Sequence, residues 1–199
     1  VAGAGLAAGI PTISVDEGGL ESALMTDPWV AKAHVQVTWP GTVEVTVLEH
    51  IPVGWVAMGE QWVLAAPGGD VLAVEAVLPE GAPVVEATAT RVQPGDVFED
   101  VLVVGALEFL GRLPAPLAAG AVLSADDGTI TGVVSGHPVM LGRPDDMSEK
   151  AGALIALLES GIPDGAEVNL TSPSRPATAN PQQGVESSLE VGAEAQPSG

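Results

Sequence analysis

The 199-residue chain contains no cysteine. Disulfides, thiolate catalysis and Cys-based metal sites are therefore excluded. Positive charge is almost as scarce: six Lys and Arg stand against 26 Asp and Glu, for a formal net charge of −20. A nucleic-acid binder needs a Lys/Arg footprint to displace counterions from phosphate, and attraction to an anionic membrane surface needs Lys/Arg clusters. Six scattered basic residues supply neither. Aromatic residues make up 3% of the chain, so Val, Leu, Ala and Ile must fill any core. Long apolar runs are missing as well. The most apolar stretch, residues 101–125, is interrupted by Glu108, Arg112, Pro114 and Pro116, whereas a membrane span needs about 20 mostly apolar residues. The opening VAGAGLAAGIP has no basic n-region and is not an intact signal peptide. The expectation is a piece of a longer protein, with a targeting or anchoring segment upstream.

What is present is a foldable body. Hydrophobic residues make up 46% of the chain, too many for a disordered acidic polymer, and the length suits one large or two small domains. Residues 173–199 are rich in Pro, Ser, Ala, Gln and Gly and read as a disordered tail. With three Glu and one Arg in that tail, the acidity belongs to the body. Near the start, Asp16 is a plausible N-cap for a helix carrying Leu20, Ala23 and Leu24. From Val30 to Thr38, Ala31, Ala33, Val35 and Val37 alternate with Lys32, His34, Gln36 and Thr38, the period of a half-buried strand. Trp39-Pro40-Gly41-Thr42 is a turn, and Val43, Val45 and Val47 continue into a second strand, so a β-hairpin is expected. Residues 51–143 are short apolar runs punctuated by Pro67-Gly68-Gly69-Asp70, Pro79-Glu80-Gly81, Pro94-Gly95-Asp96, Asp126-Asp127-Gly128 and Gly136-His137-Pro138. That spacing predicts a β-rich domain, interrupted by one helix near Leu102–Leu113. A second helix opens at Pro144-Asp145-Asp146, with Asp146 and Glu149 as a capping box and Met147, Ala151, Leu154, Ile155 and Leu158 as its apolar stripe. A strand, Glu167–Leu170, is expected to be the last element.

Catalytic constellations are thin. His34, His50 and His137 have no metal-ligand spacing on one element. Asp126-Asp127-Gly128 lacks the alternating spacing of a Ca²⁺ loop and reads as a hairpin turn. The segment Gly132-Val-Val-Ser135-Gly136 is not a nucleophile elbow, because no residue separates Ser135 from Gly136. No Gly-rich phosphate loop precedes a helix with Lys. Neither a cofactor nor a metal is expected. Strand edges are the better candidates: an exposed edge offers unpaired N–H and C=O groups that a partner segment can pair with. The candidate edges are Ala31–Thr38 and the final strand around Val168–Thr171. Trp29, Trp39, Trp55 and Trp62 are core or edge packing, or binding anchors, since Trp is enriched in hot spots.

The run LESALMTDPWVAKAHVQVTWPGTVEVTVLEHIPVGW, residues 20–55, resembles the POTRA domain of the FtsQ/DivIB family of bacterial cell-division proteins. The strongest part is Pro28-Trp29-Val30, then Trp39-Pro40-Gly41-Thr42, then Glu49 and Pro52-Val53. Trp62-Val63-Leu64 with Gly69-Asp70-Val71-Leu72, Leu78-Pro79, then Gly142, Asp145, Lys150 and Leu154, and finally Val168-Asn169-Leu170 extend the resemblance over roughly residues 10–175. It implies a bitopic protein, with a short cytoplasmic tail, one membrane span, a POTRA domain and a β domain. The family's POTRA begins with a strand, and here the chain starts inside what would be its first helix. Where the family carries more Arg, in the strand and the Glu-x-x-Pro region, this chain has Val and His.

The resulting expectation is an α+β fold: a POTRA-like βααββ module without its first strand at residues 1–53, an antiparallel β-rich domain with two helices at 54–172, and the tail at 173–199. The resemblance implies a non-enzymatic divisome scaffold at the septal membrane, linking early and late division proteins and helping to control septal peptidoglycan synthesis. The implied partners are an FtsB/FtsL-like coiled-coil pair and an FtsW/FtsI-like synthase. Carried over from the family, the pair's strand-addition site falls on Glu167, Val168, Asn169, Leu170 and Thr171, and a POTRA surface falls on Trp29, Lys32, His34 and Gln36. Two other readings remain open. One is a secreted hydrolase or carbohydrate-binding β protein, for which Glu108 and Asp126 would have to converge. The other is a POTRA-containing assembly or secretion factor, which tandem POTRA copies would favour.

Overall fold

The computed structural model describes residues 16–38, 41–87 and 91–179. The opening segment, the turn residues Trp39 and Pro40, and the question of a first POTRA strand lie outside these residues. Asp16 caps helix α1 (Glu17–Leu24) as expected, its side chain accepting the Gly19 N–H at 3.0 Å. Strands β1 (Val30–Thr38) and β2 (Thr42–Glu49) form the expected antiparallel hairpin, in register from Thr38 opposite Thr42 back to Lys32 opposite Leu48. Residues directly opposite share a face. Val35 therefore lies beside Val45, and Ala33 beside Val47. Among the described residues of this module Val35 and Leu20 are buried, whereas Val45 and Val47 stay about 40% exposed. The single described helix covers the β1 half of that face.

The remaining nine strands form one sheet in the order β11-β10-β9-β8-β7-β6-β3-β4-β5. They are β3 (Gly54–Met58), β4 (Gln61–Ala65), β5 (Val71–Glu75), β6 (Val84–Glu86), β7 (Val122–Asp126), β8 (Thr129–Val134), β9 (His137–Gly142), β10 (Glu167–Asn169) and β11 (Ala177–Ala179). Helices α2 (Val101–Arg112), the short α3 (Ala115–Ala118) and α4 (Met147–Glu159) complete the body. The fold is α+β. Hairpin-connected neighbours pair antiparallel. Where a longer connection intervenes the pairing is parallel: β3 with β6 across β4 and β5, β6 with β7 across α2 and α3, and β9 with β10 across α4. A helical crossover returns the chain to the same end of the sheet, which is what parallel pairing requires.

The core lies between one face of this sheet and α2 with α4. Val56, Val63, Val85, Leu123, Ile130 and Leu141 from the strands meet Leu107, Phe109, Leu110, Ala151 and Leu154 from the helices, all essentially inaccessible to solvent. The opposite face is open: Val122, Val133 and Met140 alternate outward and are more than a third exposed. Alternation of this kind is the signature of a sheet buried on one side. Asp100 caps α2, accepting the Leu102 N–H at 2.8 Å. One buried charge serves α4. The Lys150 ammonium, with its side chain 1% exposed, donates to the Arg143 carbonyl and to Asp145 Oδ1, each at 2.7 Å. That hydrogen bond is the main cause holding the Asp145 carboxyl below its ordinary range.

Three expectations are corrected. The capping box at Asp146 does not form: Asp146 is left-handed (φ 51°), and its side chain makes no capping hydrogen bond. The turn before β9 falls on Ser135 and Gly136, both at positive φ. His137 instead starts the strand, buried, with Nδ1 3.2 Å from the Ala166 carbonyl. Glu167–Asn169 is not the last element. Residues 177–179, inside the segment read as tail, form β11 antiparallel to β10, because an open ladder edge gives even small residues a row of backbone partners.

Candidate functional site

The cleft that Glu108 lines does not include Asp126. Glu108 lines a cleft of about 300 Å³ with Pro67, Gly68, Gly111 and Arg112, and Asp126 sits at the β7–β8 turn instead. Asp127 and Gly128, both at positive φ, form that two-residue hairpin turn. No group of three His, Asp or Glu among the described residues is arranged to hold a metal ion.

The two strands predicted as edges, β1 and β10, lie in different sheets. On β10 the side chains divide cleanly. Val168 and Leu170 are fully buried and anchor the strand in the core, while Glu167 is exposed and Asn169 half-buried. The Leu170 N–H donates to the Met140 carbonyl of β9 at 2.8 Å. Backbone groups alternate in direction along a strand, so Val168 and Leu170 face β9, and the N–H and C=O of Glu167 and Asn169 face the other way. Those outward groups meet β11, in the register Glu167–Ala179 and Asn169–Ala177. Asn169 Oδ1 also accepts the Thr171 N–H at 3.0 Å and its hydroxyl at 2.8 Å, which fixes the exit of the strand. The predicted site residues Glu167, Val168, Asn169, Leu170 and Thr171 thus form one continuous edge. Sequence reasoning missed that the same chain covers it. The covering residues are Ala, Thr and Ala after Pro176, and no apolar alternation announces a strand there.

On β1 the exposed side chains Lys32, His34 and Gln36 share one face of the hairpin, and Trp29 just before the strand is 39% exposed. The Trp29 N–H donates to Asp27 Oδ1 at 3.0 Å, and the Trp29 carbonyl accepts the His50 N–H at 2.9 Å. The outer backbone edge of β1 is not free either. Glu21 Oε1 accepts the Val35 N–H at 2.8 Å, and Glu17 Oε1 accepts the Val37 N–H at 2.7 Å. Glu21 Oε1 also lies 3.0 Å from His34 Nδ1. The Val35 N–H is the largest influence holding the Glu21 carboxyl below its ordinary value, with the His34 hydrogen bond second. Spacing on α1 puts Glu17 and Glu21 on one helix face, and that was the only sequence signal. Their targets on β1 are set by tertiary packing.

No helix among the described residues is long and apolar enough to cross a membrane. The family model described as POTRA domain, FtsQ-type, matches residues 1–50. The cell division protein FtsQ of Streptomyces collinus is 30% identical over 181 residues, covering 86% of this chain and 68% of that protein. The cell division protein FtsQ of Streptomyces coelicolor is 28% identical over 181 residues, with the same coverage. Its namesake from Streptomyces bingchenggensis is 25% identical over 175 residues, covering 85% of this chain and 66% of its own length. The chain thus spans about two thirds of the relatives it matches.

Proposed function

This chain belongs to the FtsQ family of cell-division proteins, and on that premise we propose that it is the extracytoplasmic part of a non-enzymatic scaffold anchored in the membrane through an upstream segment and working at the division septum. Residues 1–53 and 54–172 serve as separate units, a POTRA-like module and a sheet platform. The platform offers the β10 edge to an extended segment of an FtsB/FtsL-like coiled-coil pair by strand addition, and the face carrying Trp29, Lys32, His34 and Gln36 meets other division proteins, an FtsW/FtsI-like synthase among them. Through these contacts the chain helps to time septal wall synthesis. One observation carries the reading: residues 167–170 are anchored by the buried side chains of Val168 and Leu170, while the backbone N–H and C=O of Glu167 and Asn169 turn away from β9 toward the edge that β11 covers. A strand whose side chains are committed to the core and whose backbone is turned outward is suited to β-augmentation.

The test uses the purified extracytoplasmic part of an FtsB/FtsL-like pair from the same genome. Asn169→Pro removes an outward N–H; Asn169→Ala keeps that N–H and removes only the side chain. Strand addition requires the Pro variant to lose at least tenfold in affinity while the Ala variant stays near the parent, with circular dichroism confirming that both are folded. Equal binding by the Pro variant and the parent rejects the reading. Val168→Pro would not discriminate, since the Val168 N–H faces β9.

A further inference from the structure

We propose that β11 is a displaceable guard strand: in the free protein residues 177–179 occupy the β10 edge, and the partner's extended segment takes their place. This rests on the strand-addition reading above and adds an intramolecular competitor to it. β11 is three residues long, and Ala177, Thr178 and Ala179 are all exposed. No side chain of β11 enters the core, so what holds it is the backbone pairing to Glu167 and Asn169. The connection is equally light. The Arg175 N–H donates to the Ser172 carbonyl at 3.0 Å, and the Ser172 and Ser174 hydroxyls are 3.5 Å apart. Both contacts are local to the turn and survive release of β11.

The strand beneath is different. β10 stays bound to β9 in parallel register, with Val168 and Leu170 fully buried. Removing β11 therefore exposes a preformed edge rather than unravelling the sheet. A short strand of small residues is also what an otherwise exposed edge needs to stop chance pairing between copies. A competitor can exceed it by simple means. Ala, Thr and Ala contribute little across the strand pair. A partner segment running antiparallel, with a large apolar residue such as Ile or Phe in place of Thr178 opposite Val168 and a basic residue in place of Ala179 opposite Glu167, gains side-chain contacts that β11 does not make. The chain's own net charge of −20 favours such a basic segment.

A guard closed for about 90–99% of the time lowers apparent affinity about 10- to 100-fold, because only the open fraction binds. The chain has no cysteine, so an Asn169→Cys/Ala177→Cys pair is unique. The two positions are directly opposite, at a separation of about 5.5 Å for a hydrogen-bonded antiparallel pair, within reach of a disulfide. With the full 199-residue chain and the same FtsB/FtsL-like probe, the oxidised double variant should bind at least tenfold more weakly than its reduced form. Ala177→Pro/Ala179→Pro, which withdraws the guard's donors, should bind more tightly than the parent. Equal affinity of oxidised and reduced forms, while Asn169→Pro still abolishes binding, overturns the guard and leaves strand addition standing. Full binding by Asn169→Pro made in the Ala177→Pro/Ala179→Pro background, where no guard is left to be weakened in step, removes strand addition, and the guard with it.

Discussion

The hairpin module at residues 16–50 and the sheet body at 54–179 meet the same problem, an exposed strand edge, by different chemistry. In the hairpin, two carboxylates on α1 reach across and accept the Val35 and Val37 N–H groups. In the body, another piece of backbone, β11, pairs with β10. The difference follows from what each region can bury. Among its described residues the hairpin module has two buried apolar side chains, Leu20 and Val35, and a β2 strand that is largely exposed. The body packs α2 and α4 onto a broad sheet. Where the described residues bury little, side chains of α1 satisfy the β1 backbone. A region with a large core can hold an edge strand rigid and leave its backbone to be paired and unpaired. Acidification weakens the hold of Glu21 on the Val35 N–H, whereas the backbone pairing of β10 with β11 involves no titrating group.

Breaking the body should leave the hairpin's local contacts in place, and the largest effect is expected at Phe109. It is fully buried in the C-terminal half of α2, so Phe109→Ala should cost about 3–5 kcal/mol, read by denaturant unfolding. Equal loss of protection at the Val35 amide in native-state exchange would show that the two regions unfold as one. Next is Gly132, where an added Cβ would run into the Val122 carbonyl and come within 2.8 Å of the Leu123 Cα. Overpacking against backbone on the neighbouring strand should make Gly132→Ala destabilising by about 1–3 kcal/mol, seen as a lowered unfolding midpoint. A smaller effect, about 1 kcal/mol, is expected for Asp100→Ala, which removes the α2 cap and is measurable in the same titration.

The mildest change sharpens the contrast most. Because its folded carboxyl lies below the ordinary value of 4.5, Glu21 stabilises the hairpin fully above that value, and its contribution fades as pH falls through it toward the lowered folded value. The protection factor of the Val35 amide, referred to the unstructured chain at each pH, should therefore fall on acidification from pH 6 to pH 3. Glu21→Gln should flatten that dependence, and Val168, bound to β9, should show none of it. A Val35 protection factor that is independent of pH in the parent would refute the carboxylate seal.

Much of the fold was legible in particular residues. The Val/polar alternation through 30–48 placed the hairpin, Asp16 marked the start of α1, and Asp127-Gly128 placed a turn between β7 and β8. The candidate site was legible by half. Val168 and Leu170 announced a strand, but their period could not say which backbone groups were spent on β9 and which remained. The β11 residues carry no pattern at all. At Asp146 the local signal pointed to a cap, while the left-handed backbone there, beside an Asp145 engaged by Lys150, left that cap unmade.

By itself the sequence determined the main helices, the β1–β2 and β7–β8 hairpins and the acidic, Cys-free composition, because these depend on contacts within a few residues and on composition. Tertiary structure alone decided the parallel pairings across α2 and α4, the reach of Glu17 and Glu21 to β1, and the closure of the β10 edge by β11. Each of these joins groups distant in sequence, and its energy is realised only when the core has brought the two sides together.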